Sequence, residues 1–334
     1  MSPLLEVQNL RVEYPTPERD VPAVDNVSFS VQPGEIVGLA GESGCGKSTT
    51  AHAILRILRP PAHITRGRIL FQDTDLVQLE PAKLRTYRWR HVSLVFQSAM
   101  NALNPVMRIG AQFVDMIQAH EHVNKEKALG RAGELLQLVG IDPTRLQAFP
   151  HELSGGMRQR VVIAMALALE PELIIMDEPT TALDVVVQRQ ILQEIQELQR
   201  RLKFAVLFIT HDLSLLIEFS DRIAIMYAGE IVEMTDADTL FRQPKHPYTV
   251  GLMSSFPPLV GEKKIMHGIP GSPPNPADPP SGCRFHPRCS HCTPDNPGLY
   301  ALQTTVKPEL RPLGSGHLVA CHLYKDEFTD ERSN

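Results

Sequence analysis

The sequence has no long hydrophobic run, no excess of basic residues and few aromatic side chains. Its longest uninterrupted apolar run covers residues 161–169, about half of the roughly 20 residues that a membrane-spanning helix needs. The chain does not open with a basic stretch followed by an apolar one, so no signal peptide is predicted. The 33 Lys and Arg residues are outnumbered by 38 Asp and Glu residues, which gives a net charge of −5. This balance argues against a protein that mainly holds nucleic-acid phosphates, although a local basic patch stays possible, and we expect a cytoplasmic chain with no nucleic-acid partner.

Cysteine is also scarce, except near the end of the chain. Cys45 stands alone, and the other four of the five cysteines are Cys283, Cys289, Cys292 and Cys321. In a cytosolic chain such a cluster indicates a metal site more than a set of disulfides. Four thiolates can hold Zn²⁺ or a [4Fe–4S] cluster, and their spacing does not decide between the two.

Composition and length predict two parts. The hydrophobic share is 43% and the charged share 21%, which is enough for a packed core. Thirteen of the 28 prolines fall within residues 251–334, where they exclude long helices and central strands. We therefore predict a domain over residues 1–250 and a proline-rich C-terminal domain over residues 251–334.

The first part alternates apolar runs with helical periodicity, as is typical of an α/β domain with a largely parallel sheet. We predict buried strands at residues 35–40, 173–177 and 205–209. Helices are predicted at residues 48–58, 109–120, 125–139 and 185–202. The helical block between residues 99 and 160 is interpreted as an insertion in the sheet domain.

A glycine-rich loop stands between the first of these strands and the first helix. Its sequence, Gly41-Glu-Ser-Gly-Cys-Gly-Lys-Ser48, fits the phosphate-binding pattern GxxxxGK[ST]. Glycines allow successive backbone N–H groups to turn inward around phosphates, and the helix N-terminus adds its positive dipole end. Lys47 is then predicted to reach the β- and γ-phosphates, and the Ser48 hydroxyl to hold Mg²⁺. Cys45 fills a variable position of this pattern and is interpreted as a small filler rather than a redox switch.

A second acidic motif ends the strand at residues 173–177. Asp177 and Glu178 follow four apolar residues, at the end of a strand where open α/β sheets bind their ligands. Asp177 is predicted to accept the Mg²⁺ shell, and Glu178 to polarise an attacking water.

A third motif, Leu153-Ser-Gly-Gly-Met-Arg-Gln159, opens a predicted helix with Ser154 as its N-cap. It resembles the signature motif of ATP-binding cassette (ABC) ATPases. Further family motifs follow in order: Gln97 matches the Q-loop, Ala182-Leu183-Asp184 the D-loop and His211 the switch histidine, while Tyr14 takes the place of the aromatic residue that stacks on adenine. The resemblance covers residues 4 to about 249.

The resemblance implies a P-loop NTPase cassette with a RecA-like core, an antiparallel β subdomain and the helical insertion. It implies catalytic roles for Glu178, His211 and Gln97, and Mg²⁺ contacts for Ser48, Gln97 and Asp177. The positions it assigns to ATP are Tyr14, Gly41, Ser43, Gly44, Cys45, Gly46, Lys47, Ser48, Thr49, Gln97, Ser154, Gly155, Gly156, Gln159, Asp177 and Asp184. The signature would serve the nucleotide of a second ATPase subunit, which implies a head-to-tail dimer.

Three segments narrow the resemblance to the ATPase subunits of dipeptide, oligopeptide and nickel importers. They are residues 98–105, residues 244–249 and the cysteine-containing tail. This group implies a paralogous partner ATPase, two permease subunits contacted by residues around 100–112, an extracytoplasmic binding protein, and a peripheral location on the cytoplasmic face of the membrane.

The same group implies a [4Fe–4S] cluster in the tail, with zinc as the alternative. Its third cysteine usually stands seven residues after the second. That position is Asn296 here, and Cys292 stands three residues after Cys289. The neighbouring His286, His291, His317 and His322 are expected to be solvated loop residues.

Peptides are the expected solute, while nickel and oligosaccharides stay open. A soluble ABC ATPase of the carbon–phosphorus lyase type is the alternative outside transport, and the cysteine tail argues against it. No tail residue is expected to enter the nucleotide site.

Overall fold

The computed structural model describes residues 2–96, 102–180, 184–254, 268–314 and 316–325. The chain divides into two compact units. The helical unit comprises Met1–Leu4, Val31–Ile36 and Asp75–Ile209. The tail-bearing unit comprises Leu5–Ser30, Val37–Thr74 and Thr210–Asn334. The predicted domain boundary near residue 250 stays a prediction.

The elements follow in chain order. The strands are β1 (Leu5–Pro15), β2 (Asp20–Val31), β3 (Ile36–Ala40), β4 (His63–Phe71), β5 (Thr74–Asp75), β6 (Val92–Val95), β7 (Leu173–Asp177), β8 (Ala205–Ile209), β9 (Arg222–Tyr227), β10 (Glu230–Asp236), β11 (Arg311–Pro312) and β12 (Leu318–Val319). The helices are α1 (Lys47–Ile54), α2 (Pro81–Tyr87), α3 (Ile109–His120), α4 (Lys125–Leu138), α5 (Gly155–Ala166), α6 (Val185–Leu202), α7 (Leu213–Phe219), α8 (Ala237–Arg242), α9 (Pro247–Ser254) and α10 (Pro297–Thr305).

Three parallel strands of the helical unit lie in the order β6-β7-β8. Leu173 pairs with Val92 on one side and with Ala205 on the other. All five residues of β7 and all five of β8 are buried, as expected for parallel strands covered on both faces. The predicted strands at 173–177 and 205–209 are therefore confirmed.

The helices of this unit confirm the predicted periodicity. The predicted ranges 109–120 and 185–202 coincide with α3 and α6, and α4 ends one residue before the predicted 139. Helix α6 buries Ile191, Leu192, Ile195 and Leu198, the apolar stripe read from the sequence. Two 3₁₀ turns and α5 continue the helical block after α4. Residues 97–101, which include the start of the predicted insertion at about residue 99, lie outside the described part of the chain.

The tail-bearing unit contains a four-stranded sheet in the order β2-β1-β4-β5, in which β1 and β4 are antiparallel. This sheet is the expected antiparallel β subdomain. A second group of strands begins with β3, which pairs in parallel with β9. Strand β9 pairs antiparallel with β10, and the tail strands β12 and β11 continue the pairing. The proline-rich tail thus adds strands to β10.

Helix α1 is shorter than predicted. It ends at Ile54 rather than near residue 58 because Arg56 takes a left-handed conformation, with φ 50°. The N–H groups of Arg56 and Ile57 donate to the carbonyls of Ala53 and His52. This pattern is a Schellman motif that ends the helix without a glycine, and composition gave no signal for it.

Two buried polar clusters attach the tail within its unit. Arg284 forms ion pairs with Asp25 at 2.6 Å and Glu230 at 2.7 Å, and Lys307 contacts the same two carboxylates. The Nε2 atom of His317 lies 2.7 Å from the Oε1 atom of Glu233, which is fully buried. The expectation that His317 is a solvated loop residue is therefore wrong, because its ring is buried against the Glu233 carboxylate. The two residues are 84 positions apart, so the sequence gives no sign of the pair.

Among the helices that the structure describes, none is long and apolar enough to cross a membrane.

Candidate functional site

The glycine-rich loop at residues 41–48 lies between β3 and α1, in the tail-bearing unit. Gly41 has φ 154° and Gly46 has φ 105°. A Cβ on Gly41 would lie 2.2 Å from the Met226 carbonyl oxygen, and one on Gly46 would lie 2.4 Å from the Ala23 carbonyl oxygen. These two positions therefore require glycine on grounds of both conformation and space.

Lys47 and Ser48 open α1, with Thr49 in its first turn. Lys47 is buried, and its Nζ donates to the carbonyls of Gly41 at 2.7 Å and Glu42 at 3.0 Å. The ammonium group is thus held at the loop whose backbone and helix start are suited to an anion. Burial raises the pKa of the Cys45 thiol and outweighs the charge of Lys47, which supports the interpretation of Cys45 as a buried filler.

A cavity of about 420 Å³ borders the loop. Tyr14, one third exposed at the end of β1, lies on its wall, as does the loop segment Ser43, Gly44 and Cys45. The remaining lining residues are Val21, Pro22, Ala23, Glu42, Tyr227, Ala228, Gly229, Pro273, Pro274 and Pro276. The three prolines belong to the tail, so tail residues line this cavity, while the expectation that no tail residue enters the nucleotide site stays a prediction.

In the helical unit, Asp177 ends β7 and is buried, and Glu178 follows it directly. Glu178 has φ 45°, a conformation that a non-glycine residue adopts at some energetic cost. Its N–H donates to the Ile209 carbonyl at 2.8 Å at the end of β8. The two carboxylates therefore stand at the C-terminal end of parallel strands, as predicted, in a turn fixed by the neighbouring strand.

The signature motif opens α5 in the same unit. Ser154 is the N-cap, and its hydroxyl accepts the Met157 N–H at 3.2 Å. Gly155 and Gly156 form the first turn, and a Cβ on Gly156 would lie 3.0 Å from Val187 of α6. Gln159 is buried. The helix start thus has the bare backbone donors that the sequence predicts.

Asp184 is the N-cap of α6, where its carboxylate accepts the Val187 N–H at 3.0 Å. His211 is exposed and follows β8 in the chain, just before the N-cap Asp212 of α7. Gln97 of the Q-loop and Ala182 and Leu183 of the D-loop lie outside the described residues.

The predicted four-cysteine metal centre is not found in the described part of the chain, where no three His, Cys, Asp or Glu side chains are arranged to hold a metal ion. The thiols are electrostatic neighbours, since Cys283 interacts with Cys289 and Cys321, and Cys289 with Cys292. Burial raises the pKa of Cys283 to about 12 and that of Cys321 to about 11. Metal ligation needs thiolates, so binding of a metal would release protons from these groups; four cysteine side chains are the donor type that Zn²⁺ or a [4Fe–4S] cluster takes.

Sequence reasoning missed one contact at the loop. Arg288 of the tail forms two hydrogen bonds to the Glu42 carboxylate, at 2.8 and 3.0 Å. Burial works against the charged guanidinium, but its bonds to Glu42 and Tyr227 outweigh burial and raise the pKa of Arg288. In the sequence, Arg288 stands next to Cys289, and no motif or spacing indicates that it pairs with Glu42.

The loop, its lysine and the helix that follows define a P-loop nucleotide-binding protein. The ABC transporter family model matches residues 24–181, and a model of the oligopeptide/dipeptide transporter C-terminal region matches residues 232–295.

Curated relatives extend the match over nearly the whole chain. The oligopeptide transport ATP-binding protein OppD of Bacillus subtilis is 46% identical over 293 residues, 86% of this chain and 82% of the relative. The corresponding AppD of Bacillus subtilis is 42% identical over 334 residues, 99% and 100% of the two chains. The dipeptide transport ATP-binding protein DppD of Haemophilus influenzae is 42% identical, with 97% and 96% covered.

Among solved structures, the dimeric bacterial ABC transporter cassette MJ0796 is similar, with a TM-score of 0.63 and 28% identity over 70% of this chain and 98% of that one. The chain therefore belongs to the ABC transporter ATP-binding proteins, and its fold is that of the ABC cassette.

The two glycine positions give a test of the loop geometry. Gly46→Ala should lower the free energy of unfolding by at least about 3 kcal/mol, because the new Cβ meets the Ala23 backbone. Gly44→Ala is the matched control: φ is 80°, but no atom lies within 4 Å of the new Cβ, so about 1 kcal/mol of conformational strain is expected. Urea unfolding of both variants measures the difference, and equal losses would contradict this account of Gly46.

Proposed function

We propose that this chain is the ATP-hydrolysing subunit of an importer of oligopeptides or dipeptides. The observation that carries the proposal is the identity of 41–46% to oligopeptide transport ATP-binding proteins, with a match that includes the tail. The comparisons do not favour nickel, oligosaccharides or a carbon–phosphorus lyase complex as alternatives.

For ATP binding, we assign the base to Tyr14 and the phosphates to the loop from Gly41 to Thr49. The support is the loop geometry, the burial of Lys47 among loop carbonyls, and the cavity beside Tyr14. The ammonium group of Lys47 stabilises the negative charge of the β- and γ-phosphates. Ser48, Gln97 and Asp177 are assigned to Mg²⁺, which neutralises charge on the phosphates when bound.

Hydrolysis is phosphoryl transfer to water, so this chain's residues mainly position the reactants. Glu178 orients the water and takes up its proton, while His211 contacts the γ-phosphate. Gln97 is the third residue to which we assign a catalytic role. The support is the position of Glu178 at the C-terminal end of β7, where its backbone is fixed by an N–H bond to the Ile209 carbonyl.

Ser154, Gly155, Gly156, Gln159 and Asp184 are assigned to the nucleotide of a second, paralogous ATPase subunit. The support is the N-capped start of α5, which presents backbone donors to an anion. Closing of such a dimer on ATP would drive two permease subunits, with a binding protein delivering the peptide outside. The chain would then lie on the cytoplasmic face of the membrane as a peripheral subunit.

Replacing Glu178 by Gln tests the catalytic assignment. ATP binding should persist because the loop at residues 41–48 is unchanged, and hydrolysis should slow by at least about a hundredfold, the scale for losing a positioned acid–base group. Glu197→Gln, an exposed carboxylate on α6, is the control and should keep the wild-type rate. Turnover near wild type in Glu178→Gln would remove Glu178 from catalysis.

We propose as a second, separate point that Cys283, Cys289, Cys292 and Cys321 hold a [4Fe–4S] cluster. The support is their electrostatic proximity and the match of residues 232–295, which include the first three of these cysteines, to the transporter C-terminal model. Binding would require the thiols to lose their protons and move closer than they lie here.

Protein purified without oxygen should then be brown, with about four irons per chain. Cys292→Ser should lose the iron, while Cys45→Ser should keep it, because Cys45 lies in the P-loop. Colourless protein with one zinc ion per chain would contradict the iron–sulfur assignment and support zinc. A full iron content in Cys292→Ser would show that Cys292 is not a ligand.

A further inference from the structure

The tail turn, residues 283–289, packs against the P-loop within the tail-bearing unit. Arg288 is nearly buried, with 6% of its side chain exposed, and it faces Glu42, whose side chain is 24% exposed. The guanidinium Nη1 and Nη2 donate to the two carboxylate oxygens of Glu42 at 2.8 and 3.0 Å. Such a fork-to-fork pair fixes direction as well as distance.

The remaining donors of Arg288 are directed elsewhere in the unit. Its Nε donates to the Pro270 carbonyl at 2.8 Å, and Nη1 also donates to the Tyr227 hydroxyl at 3.3 Å. The guanidinium carbon lies 5.7 Å from the centre of the Tyr227 ring. Arg288 is therefore held by three partners, and Glu42 is the one that belongs to the P-loop.

A second contact of the tail turn reaches the loop through the turn between β9 and β10. Arg284 donates to the Ala228 carbonyl. The next residue, Gly229, donates its N–H to the Cys45 carbonyl at 2.9 Å. Arg284 is also paired with buried Asp25 and with Glu230. The Cys45 carbonyl of the loop is therefore supported by a turn that Arg284 holds in place.

Phe285 stands between Arg284 and Arg288 in the chain and packs on two aromatic residues, Tyr227 and Tyr248. Its ring centre lies 5.2 Å from that of Tyr227 and 5.5 Å from that of Tyr248. The Tyr248 hydroxyl in turn accepts the Glu42 N–H at 2.9 Å. Glu42 is thus fixed at its backbone by Tyr248 and at its side chain by Arg288.

We propose that Arg288 is a positioning residue for the P-loop, so that the C-terminal tail sets the affinity of this chain for Mg²⁺-ATP. The inference rests on the proposed function, in which residues 41–49 hold the phosphates. Glu42 follows Gly41 directly, and its carbonyl accepts from Lys47, so a shift of residue 42 moves the lysine that meets the phosphates. Tail prolines 273, 274 and 276 also line the cavity beside the loop, which is the cavity that the proposed function assigns to the nucleotide.

The experiment measures binding of the non-hydrolysable analogue AMP-PNP with Mg²⁺ by calorimetry, on the full chain. Arg288→Gln should weaken binding at least tenfold. Arg288→Lys keeps the charge but lacks the planar fork, so it should fall between Arg288→Gln and wild type. Glu309→Gln, in the exposed tail pair Glu309–Arg311, is the matched control and should bind like wild type.

A double-mutant cycle separates positioning from general loosening of the tail. If Arg288 acts through Glu42, then Arg288→Gln should add little to the loss already caused by Glu42→Gln. Losses that multiply in the double variant would overturn the proposal, as would wild-type affinity in Arg288→Gln. Should Arg288→Gln fail to fold, Arg288→Lys and Glu42→Gln carry the same cycle.

The two proposals fail in different ways. If wild-type protein does not bind the analogue, the proposed function is wrong and the inference falls with it. If wild type binds and the Arg288 variants bind equally well, only the positioning role is wrong.

Discussion

The close packing of the P-loop backbone against β2, β9 and the β9–β10 turn is the constraint on which the candidate site depends. Gly41 and Gly46 come so close to carbonyls of Met226 and Ala23 that a Cβ would overlap them. The Cys45 carbonyl accepts the Gly229 N–H, and the Gly229 carbonyl accepts the Asp25 N–H. The loop is therefore shaped by its neighbours, which hold Lys47 and the start of α1 where an anion would bind.

The tail shares this constraint rather than standing apart from the cassette. Strands β12 and β11 continue the pairing of β10, and Arg284 and Lys307 neutralise Asp25 and Glu230. Without those cations, Asp25 would keep only its 2.7 Å ion pair with Arg11, and Glu230 would lose both of the cations paired with it, which is destabilising. The tail is thus part of the structure that forms the loop, whatever its cysteines bind.

Much of the fold could be predicted from the sequence because its signals are local. Strands β7 and β8 are short apolar runs, and α3 and α6 show helical periodicity over three turns or more. The P-loop and the signature helix are recognisable because glycine and an N-cap serine meet local backbone needs that few residue types satisfy.

What could not be predicted depends on contacts between residues distant in the chain. Arg288 and Glu42 are 246 positions apart, and His317 and Glu233 are 84 apart, so no periodicity or motif relates them. The cysteine spacing predicted a metal set, but ligation also requires the thiol groups to converge, which spacing alone does not determine. The end of α1 was missed because Arg56 adopts a conformation usually reserved for glycine.

The most direct test is the rate of ATP hydrolysis by this chain, assembled in lipid vesicles with the paralogous ATPase subunit and the two permeases that we propose for it. Binding protein loaded with an oligopeptide or dipeptide should raise the rate severalfold over unloaded binding protein, and the increase should disappear when the permeases are left out. A rate that is the same with and without peptide-loaded binding protein would contradict the assignment to a peptide importer.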